Sequence, residues 1–250
     1  MWTHCESSHF VMIPKTIHYC WFGRGEMPEL AQKCVASWHT HMPEWRFRLW
    51  NEDNFDVDQV AYTKEAYEAK KYAFVSDYVR LWALKNEGGV YLDTDVEVFK
   101  PFDNLLDLNA FAGFEGSKYK PLGTCIMASV AQGEWVTEQF EAYNKRHFLL
   151  PNGSFDLTTN VSFITAKMRE NGFNQNGQEQ EYKDLHVFPT DYFCPRQTTG
   201  EYFRTENTYC DHLGLGSWAE KKGGWKQCLG RMIGSQNMIK LIKLRRKLFD

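Results

Sequence analysis

The 250-residue sequence has no run of about 18 apolar residues, so it offers no membrane-spanning helix. No basic start followed by a short apolar stretch marks a cleaved leader. The seven cysteines, at 5, 20, 34, 125, 194, 210 and 228, form no C-x-x-C pair and are odd in number. That speaks against a disulfide framework and for reduced thiols in a cytoplasmic setting. There is no internal repeat and no low-complexity segment, which sets aside repeat and tract architectures. An excess of positive charge is missing too. The formal net charge of −3 does not suggest a nucleic-acid partner.

What is present is an ordinary soluble composition, 43% hydrophobic and 24% charged, long enough for one α/β domain. Aromatics, at 16% with nine Trp, are plentiful. Aromatic faces stack on sugar rings and bases, but they also fill cores, and composition alone favours the core.

The stretch that organises the rest is Tyr72–Pro101, YAFVSDYVRLWALKNEGGVYLDTDVEVFKP. From Ala73 to Asn86 apolar residues fall on nearly every side, the pattern of a buried helix. Asp77 and Arg80, three apart, nevertheless share one side of it. Gly88-Gly89 suits a left-handed helix end. Val90-Tyr91-Leu92 starts a strand, with Asp93-Thr94-Asp95 at its carboxyl end, where open α/β sheets bind ligands. On a continuing strand the two aspartates would point to opposite faces. Both serve one site only if the chain turns there, or if each grips a different part of an extended ligand. A nucleotide-sugar held through a divalent cation is such a ligand.

The words S-D-x-x-R (Ser76, Asp77, Arg80) and G-G-V-Y-L-D-T-D (Gly88 to Asp95) resemble those of the sugar-binding DXD glycosyltransferases of the Och1-like mannosyltransferase and capsular polysaccharide type. Catalytic domains of the large clostridial glucosylating toxins are distant relatives of that family. The resemblance runs from about Ile13 to Trp218, weakest in the middle third. It implies a GT-A-like, Rossmann-type α/β domain with a mixed central sheet. It also implies a metal-dependent retaining transfer of a hexose from UDP- or GDP-hexose to a saccharide or lipid-linked acceptor, in surface polysaccharide synthesis. The family's opening word, I-P-K-x-I-H-x-x-W, would put Trp21 at the base and ribose, the alternative being a core tryptophan. Its closing word, H-x-x-x-G-S-W, matches His212, Gly216, Ser217 and Trp218. The implied roles are Asp95 and His212 on Mn²⁺ or Mg²⁺, with Ser217 as a further ligand, and Asp93 on ribose or sugar hydroxyls. Asp77 and Arg80 would meet the donor sugar, with Arg80 also facing the phosphates, and Ser217 and Trp218 would help bind the donor. A histidine beside a carboxylate suits a mixed N/O metal site.

The remaining chain reads as alternating strands and helices. Strands are expected at Ile13–Phe22, Phe47–Asn51, Ala110–Glu115, Gly123–Val130 and Leu185–Phe188. Helices are expected at Pro28–His41, Asp56–Lys71, Glu134–Phe148 and Val161–Glu170, the last capped by Thr158-Thr159-Asn160. Trp50 and Asn51 stand at a strand end near the expected base site. His18 reads as a hydrogen-bonded core histidine, and 171–183 as a loop. Residues 1–11 read as an extension ahead of a natural start at Met12, 12–225 as the domain, and 226–250 as a basic amphipathic tail.

That tail holds seven Lys and Arg against a single Asp, a net charge of +6 beside −9 for the remainder. It suits a helix on an anionic membrane surface, bringing the site to the inner membrane face, or a helix docked on the domain. Other readings of D-x-D fit less well. A calcium loop counted from Asp93 would need Gly and Glu at its sixth and twelfth positions, where Val98 and Asn104 stand. A phosphatase of the aspartyl-phosphate kind would have Thr or Val where Glu97 is. An inactive sugar- or nucleotide-binding protein of the same fold is the alternative, and retention of Asp77, Arg80, Asp93, Asp95 and His212 together argues against it.

Overall fold

The computed structural model describes residues 11–116, 120–196 and 201–214. Most of the expected 1–11 extension, the Gly216-Ser217-Trp218 end of the closing word and the basic 226–250 tail lie outside the described residues.

The chain opens with a strand, β1 (Thr16–Cys20), a helix, α1 (Glu29–His41), and a second strand, β2 (Arg46–Trp50). Two helices follow, α2 (Ala61–Glu68) and α3 (Tyr72–Glu87), then two short strands, β3 (Gly89–Leu92) and β4 (Val96–Val98). After a 3₁₀ turn come β5 (Ala110–Phe114), β6 (Leu122–Ser129), α4 (Glu134–Tyr143) and α5 (Asn160–Glu170). Three short strands and one helical turn close the described part: β7 (Gln180–Tyr182), β8 (Leu185–Phe188), α6 (Thr190–Phe193) and β9 (Cys210–His212). None of the described helices is long and apolar enough to cross a membrane.

Seven strands make one mixed sheet in the order β2-β1-β3-β6-β5-β8-β7, while β4 and β9 pair apart from it. β1 lies parallel to both β2 and β3, and β5 lies parallel to β8. β6 is antiparallel to β3 and to β5 on either side. Five strands therefore point one way, and the starts of β6 and the ends of β3 and β5 share one edge. Side chains alternate across the sheet. Tyr91, Ala112 and Met127 join the core under α2 to α5, whereas Val90, Leu92, Phe111 and Ile126 join the core on the α1 and α6 side. The fold is thus a three-layer α/β domain with a mixed sheet.

Most elements sit where hydrophobic patterning puts them. The expected helix 73–86 is α3, and the glycine stop behaves as required. Gly88 has φ +66° and Gly89 φ +111°, and a Cβ on Gly89 would come within 2.7 Å of the Thr16 carbonyl oxygen. Thr159 caps α5 by accepting a 3.3 Å hydrogen bond from the Ser162 amide. Three expectations are corrected. The helix expected from Asp56 starts only at Ala61, because the Asp56 carboxylate accepts from the Asp58 amide and holds a turn there. The helix expected to reach Phe148 ends at Tyr143, and the loop 171–183 contains the edge strand β7. A strand of three residues pairing on one side only leaves little periodicity to read.

His18 is a core residue, as its surroundings demand. The Trp50 indole donates to its Nδ1 at 3.2 Å, and its Nε2 lies 2.8 Å from the Gly88 carbonyl oxygen. Trp50 is therefore a buried core partner, and the expectation that it meets a base is corrected. Burial lowers the His18 pKa from 6.5 to about 4, against the pull of the Gly88 carbonyl. The unfolded chain thus takes up this proton below pH 6.5 and the folded one only near pH 4. Stability is whole above 6.5 and lost as pH falls toward 4, by about 3 kcal/mol at full expression of the shift. Urea melts at several pH values should show a steeper loss in the wild type than in His18→Gln. Equal slopes over this window would show that His18 titrates freely.

Candidate active site

The chain turns at the D-x-D word. β3 ends at Leu92, the Val96 amide donates back to the Asp93 carbonyl at 3.1 Å, and β4 departs into the second sheet. Of the two alternatives that the sequence left open, the turn is the one observed, and the condition for both aspartates to serve one site is met. Two neighbours fix the turn from either side. The Asp93 amide donates to the Cys125 carbonyl on β6 at 2.8 Å, and the Leu213 amide donates to the Asp95 carbonyl at 3.0 Å. On β4, Val96 pairs in register with His212 of β9, and its carbonyl accepts from the buried indole of Trp38 on α1 at 2.7 Å.

These constraints bring ligand atoms of Asp93, Asp95 and His212 within 4.8 Å of one another. His212 Nε2 is 3.4 Å from Asp95 Oδ1. The side chains of Asp93, Asp95 and His212 keep 26%, 14% and 27% exposure, enough to meet a ligand. Burial works against an imidazolium at His212. Cys125 and the Asp95 carboxylate outweigh it and raise its pKa well above the usual value. One nitrogen and two carboxylates in reach of each other fit a hard divalent cation with mixed N/O ligation.

Behind the turn lies a buried charged network. Arg80, 5% exposed, places Nη2 2.9 Å from Asp77 Oδ1 and Nη1 3.1 Å from Asp93 Oδ1. Nη1 also donates to the Thr124 carbonyl at 2.6 Å, and the guanidinium lies 4.5 Å above the Tyr91 ring. The Tyr91 hydroxyl donates to the same Asp93 oxygen at 3.0 Å. Burial pushes the Asp77 carboxyl up to about 6, with the Arg80 charge opposing. It raises Asp93 too, again against Arg80. Arg80 is thus committed to the protein on several sides. Among those partners is Asp93, the first aspartate of the D-x-D word.

Trp21 stands at the carboxyl end of β1, on the same edge as the D-x-D turn. Its amide donates to the Trp50 carbonyl at 2.9 Å and its indole to the Gly25 carbonyl at 2.6 Å. It is partly exposed, not a core tryptophan. Asn51 instead accepts from the Asp53 amide within its own turn. Three groups at the site were not singled out from the sequence: Glu115, Cys125 and Cys194. Glu115 follows β5, with Oε2 3.9 Å from His212 Nδ1, and burial raises its pKa. Its place at the end of an apolar strand was the available hint.

Residues 28–112 match the family described as the glycosyltransferase sugar-binding region containing the DXD motif. An uncharacterized glycosyltransferase of Acanthamoeba polyphaga mimivirus is 24% identical over 221 residues, which cover 83% of this chain and 84% of that one. Inositol phosphoceramide mannosyltransferase 1 of Schizosaccharomyces pombe is 29% identical over 110 residues, 40% of this chain and 33% of the relative. Among solved structures, the PaToxG glycosyltransferase superposes with TM-score 0.47 at 15% identity, covering 64% of this chain and 70% of the other.

Arg80→Lys keeps the charge but cannot reach Asp77, Asp93 and Thr124 together. It should cost about 3 kcal/mol in urea denaturation, because hydrogen bonds to buried charged groups are worth about 1.5–3 kcal/mol each. A loss below about 0.5 kcal/mol would show that the network does not depend on the planar fork. With Asp93 at the D-x-D turn and residues 28–112 matching that description, this part of the chain carries a glycosyltransferase sugar-binding region with the DXD motif, and the protein is a glycosyltransferase.

Proposed function

We propose that the enzyme moves a hexose from a nucleotide-sugar to a saccharide or lipid-linked acceptor, with retention of configuration and with a divalent cation, Mn²⁺ or Mg²⁺, at the D-x-D turn. The observation that carries this reading is the convergence of Asp93, Asp95 and His212 within 4.8 Å at the carboxyl edge of the sheet. A cation held there by Asp95 and His212 would neutralise the diphosphate leaving group as a Lewis acid. The protein's own part is positional. Asp93, aimed by Arg80 and Tyr91, faces ribose or sugar hydroxyls with a fixed acceptor oxygen. Asp77, less than a tenth exposed, keeps Arg80 in place from below. Trp21 offers a partly open ring one strand away, where the base would stack.

Retention follows from the resemblance, through front-face attack assisted by the leaving phosphate. UDP or GDP, the sugar and a role in surface polysaccharide belong to the same reading. So does contact of the 226–250 tail with the inner membrane face. An inactive binding protein is the second reading, and it separates from the first by turnover.

A nucleotide-sugar hydrolysis and transfer assay with and without Mn²⁺ tests the proposal. Wild type should turn over only with the ion, and Asp95→Asn should lose activity by about a hundredfold or more while its melting temperature stays within a few degrees. Retained Mn²⁺-dependent turnover in Asp95→Asn would remove that residue from the cation site. Binding of nucleotide-sugar without any turnover would favour the inactive reading. His212→Ala should raise the Mn²⁺ concentration for half-maximal rate about tenfold, and an unchanged titration would return His212 to a structural role.

A further inference from the structure

Beside the D-x-D turn lies a second set of ligating groups with different chemistry. Cys125 on β6 and Cys194 after α6 face each other with Sγ atoms 3.4 Å apart. Both are free thiols, 1% and 4% exposed. Ligand atoms of Glu115, Cys125, Cys194 and His212 all lie within 4.8 Å of one another. Two sulfurs, one nitrogen and one carboxylate oxygen are four donors, the number a tetrahedral zinc site takes. In a zinc site with Zn–S near 2.3 Å the two sulfurs stand about 3.8 Å apart, close to the separation found here. Nothing in the glycosyl-transfer reading uses either thiol.

We propose that Glu115, Cys125, Cys194 and His212 form a separate site for a thiophilic cation of the Zn²⁺ class, and that filling it disables the D-x-D site. The coupling comes from the shared imidazole and rests on the reading of the active site given above. His212 turns Nε2 toward Asp95 and Nδ1 toward Glu115. An ion drawn to the two sulfurs holds the ring on the Glu115 side and takes a ligand from the aspartates. Ligand softness separates the two sites. Carboxylates favour Mn²⁺ or Mg²⁺, and thiolates favour Zn²⁺. On binding, each thiol forms a sulfur–metal bond and releases its proton to solvent, the His212 ring likewise gives up the proton on its ligating nitrogen, and no electrons move.

The test uses the metal-stripped full chain titrated with Co²⁺ alone. Binding should raise a thiolate-to-cobalt charge-transfer absorption that saturates near one equivalent and is bleached by Zn²⁺. Cys194→Ser should weaken it about tenfold or more. A wild type without the band, or a Cys194→Ser protein with an undiminished one, would overturn the site. X-ray absorption on the Zn²⁺-loaded wild type gives a readout that needs no variant to fold. Two sulfur neighbours are expected, and none would overturn the proposal. Asp95→Asn should keep the cobalt band even though it loses Mn²⁺-supported activity. That separates failure of this site from failure of the glycosyl-transfer reading, and loss of the band in Asp95→Asn would show that there is only one site. Finally, Zn²⁺ should inhibit Mn²⁺-supported turnover of the wild type at a concentration about tenfold or more below that needed for Cys194→Ser, and equal inhibition would refute the coupling.

Discussion

The structure depends above all on one buried cation. The Arg80 guanidinium sits between the helix that carries it and the sheet beneath, and it touches groups on that helix, on β3 and its end, and on β6. Asp77 belongs to the same helix, Tyr91 and Asp93 to β3 and its end, and Thr124 to the start of β6. A charge this deep is tolerable only when its donors are answered, since stripping a buried ion of one partner costs about 3–5 kcal/mol. The helix therefore cannot slide or rotate on the sheet without breaking several such bonds together. The same bonds that anchor the packing also set the direction of the Asp93 carboxylate. Stability and site geometry are here one requirement.

That coupling explains why α3 is apolar on nearly all sides and still holds an aspartate and an arginine. A helix sandwiched between a sheet and two neighbouring helices has little wet face in its middle turns to carry charge. The pair survives because each member answers the other, with the sheet supplying the remaining acceptors. Burial raises the Asp77 carboxyl to about 6 even though the guanidinium beside it favours the charged form.

Much of this was legible in the sequence, for identifiable reasons. The helix from Ala73 to Asn86, the glycine stop and the strand after it follow from periodicity and from the backbone freedom that Gly88 and Gly89 require. His18 as a core histidine and Thr159 as a cap were readable from local context. Direction in space was not. Glu115 reaches the site only because β6 runs antiparallel between β3 and β5, which brings the ends of those two strands to one edge. No local pattern states such a pairing. Cys125 and Cys194 are separated by 69 residues, and their meeting is equally silent in the chain. The further partners of Arg80 were silent for the same reason: the spacing shows that it shares a helix side with Asp77, but only the packed sheet brings Thr124 and Asp93 to its guanidinium.

The second, two-stranded sheet has a consequence for how the enzyme comes into being. β4 follows the aspartates directly, whereas its partner β9 lies more than a hundred positions later, and Val96 meets His212 in that pairing. Closing so long a segment carries a substantial loop entropy, and contacts of high sequence separation tend to form slowly. During synthesis, which proceeds at about 5–20 residues per second, the aspartates, Arg80 and the central strands all emerge well before the histidine does. A nascent chain can thus build the sheet edge of the D-x-D turn and its buried arginine network while the proposed cation site is still missing its nitrogen. Assembly of the sheet and completion of the chemical centre are two events in time, and the centre is the later one.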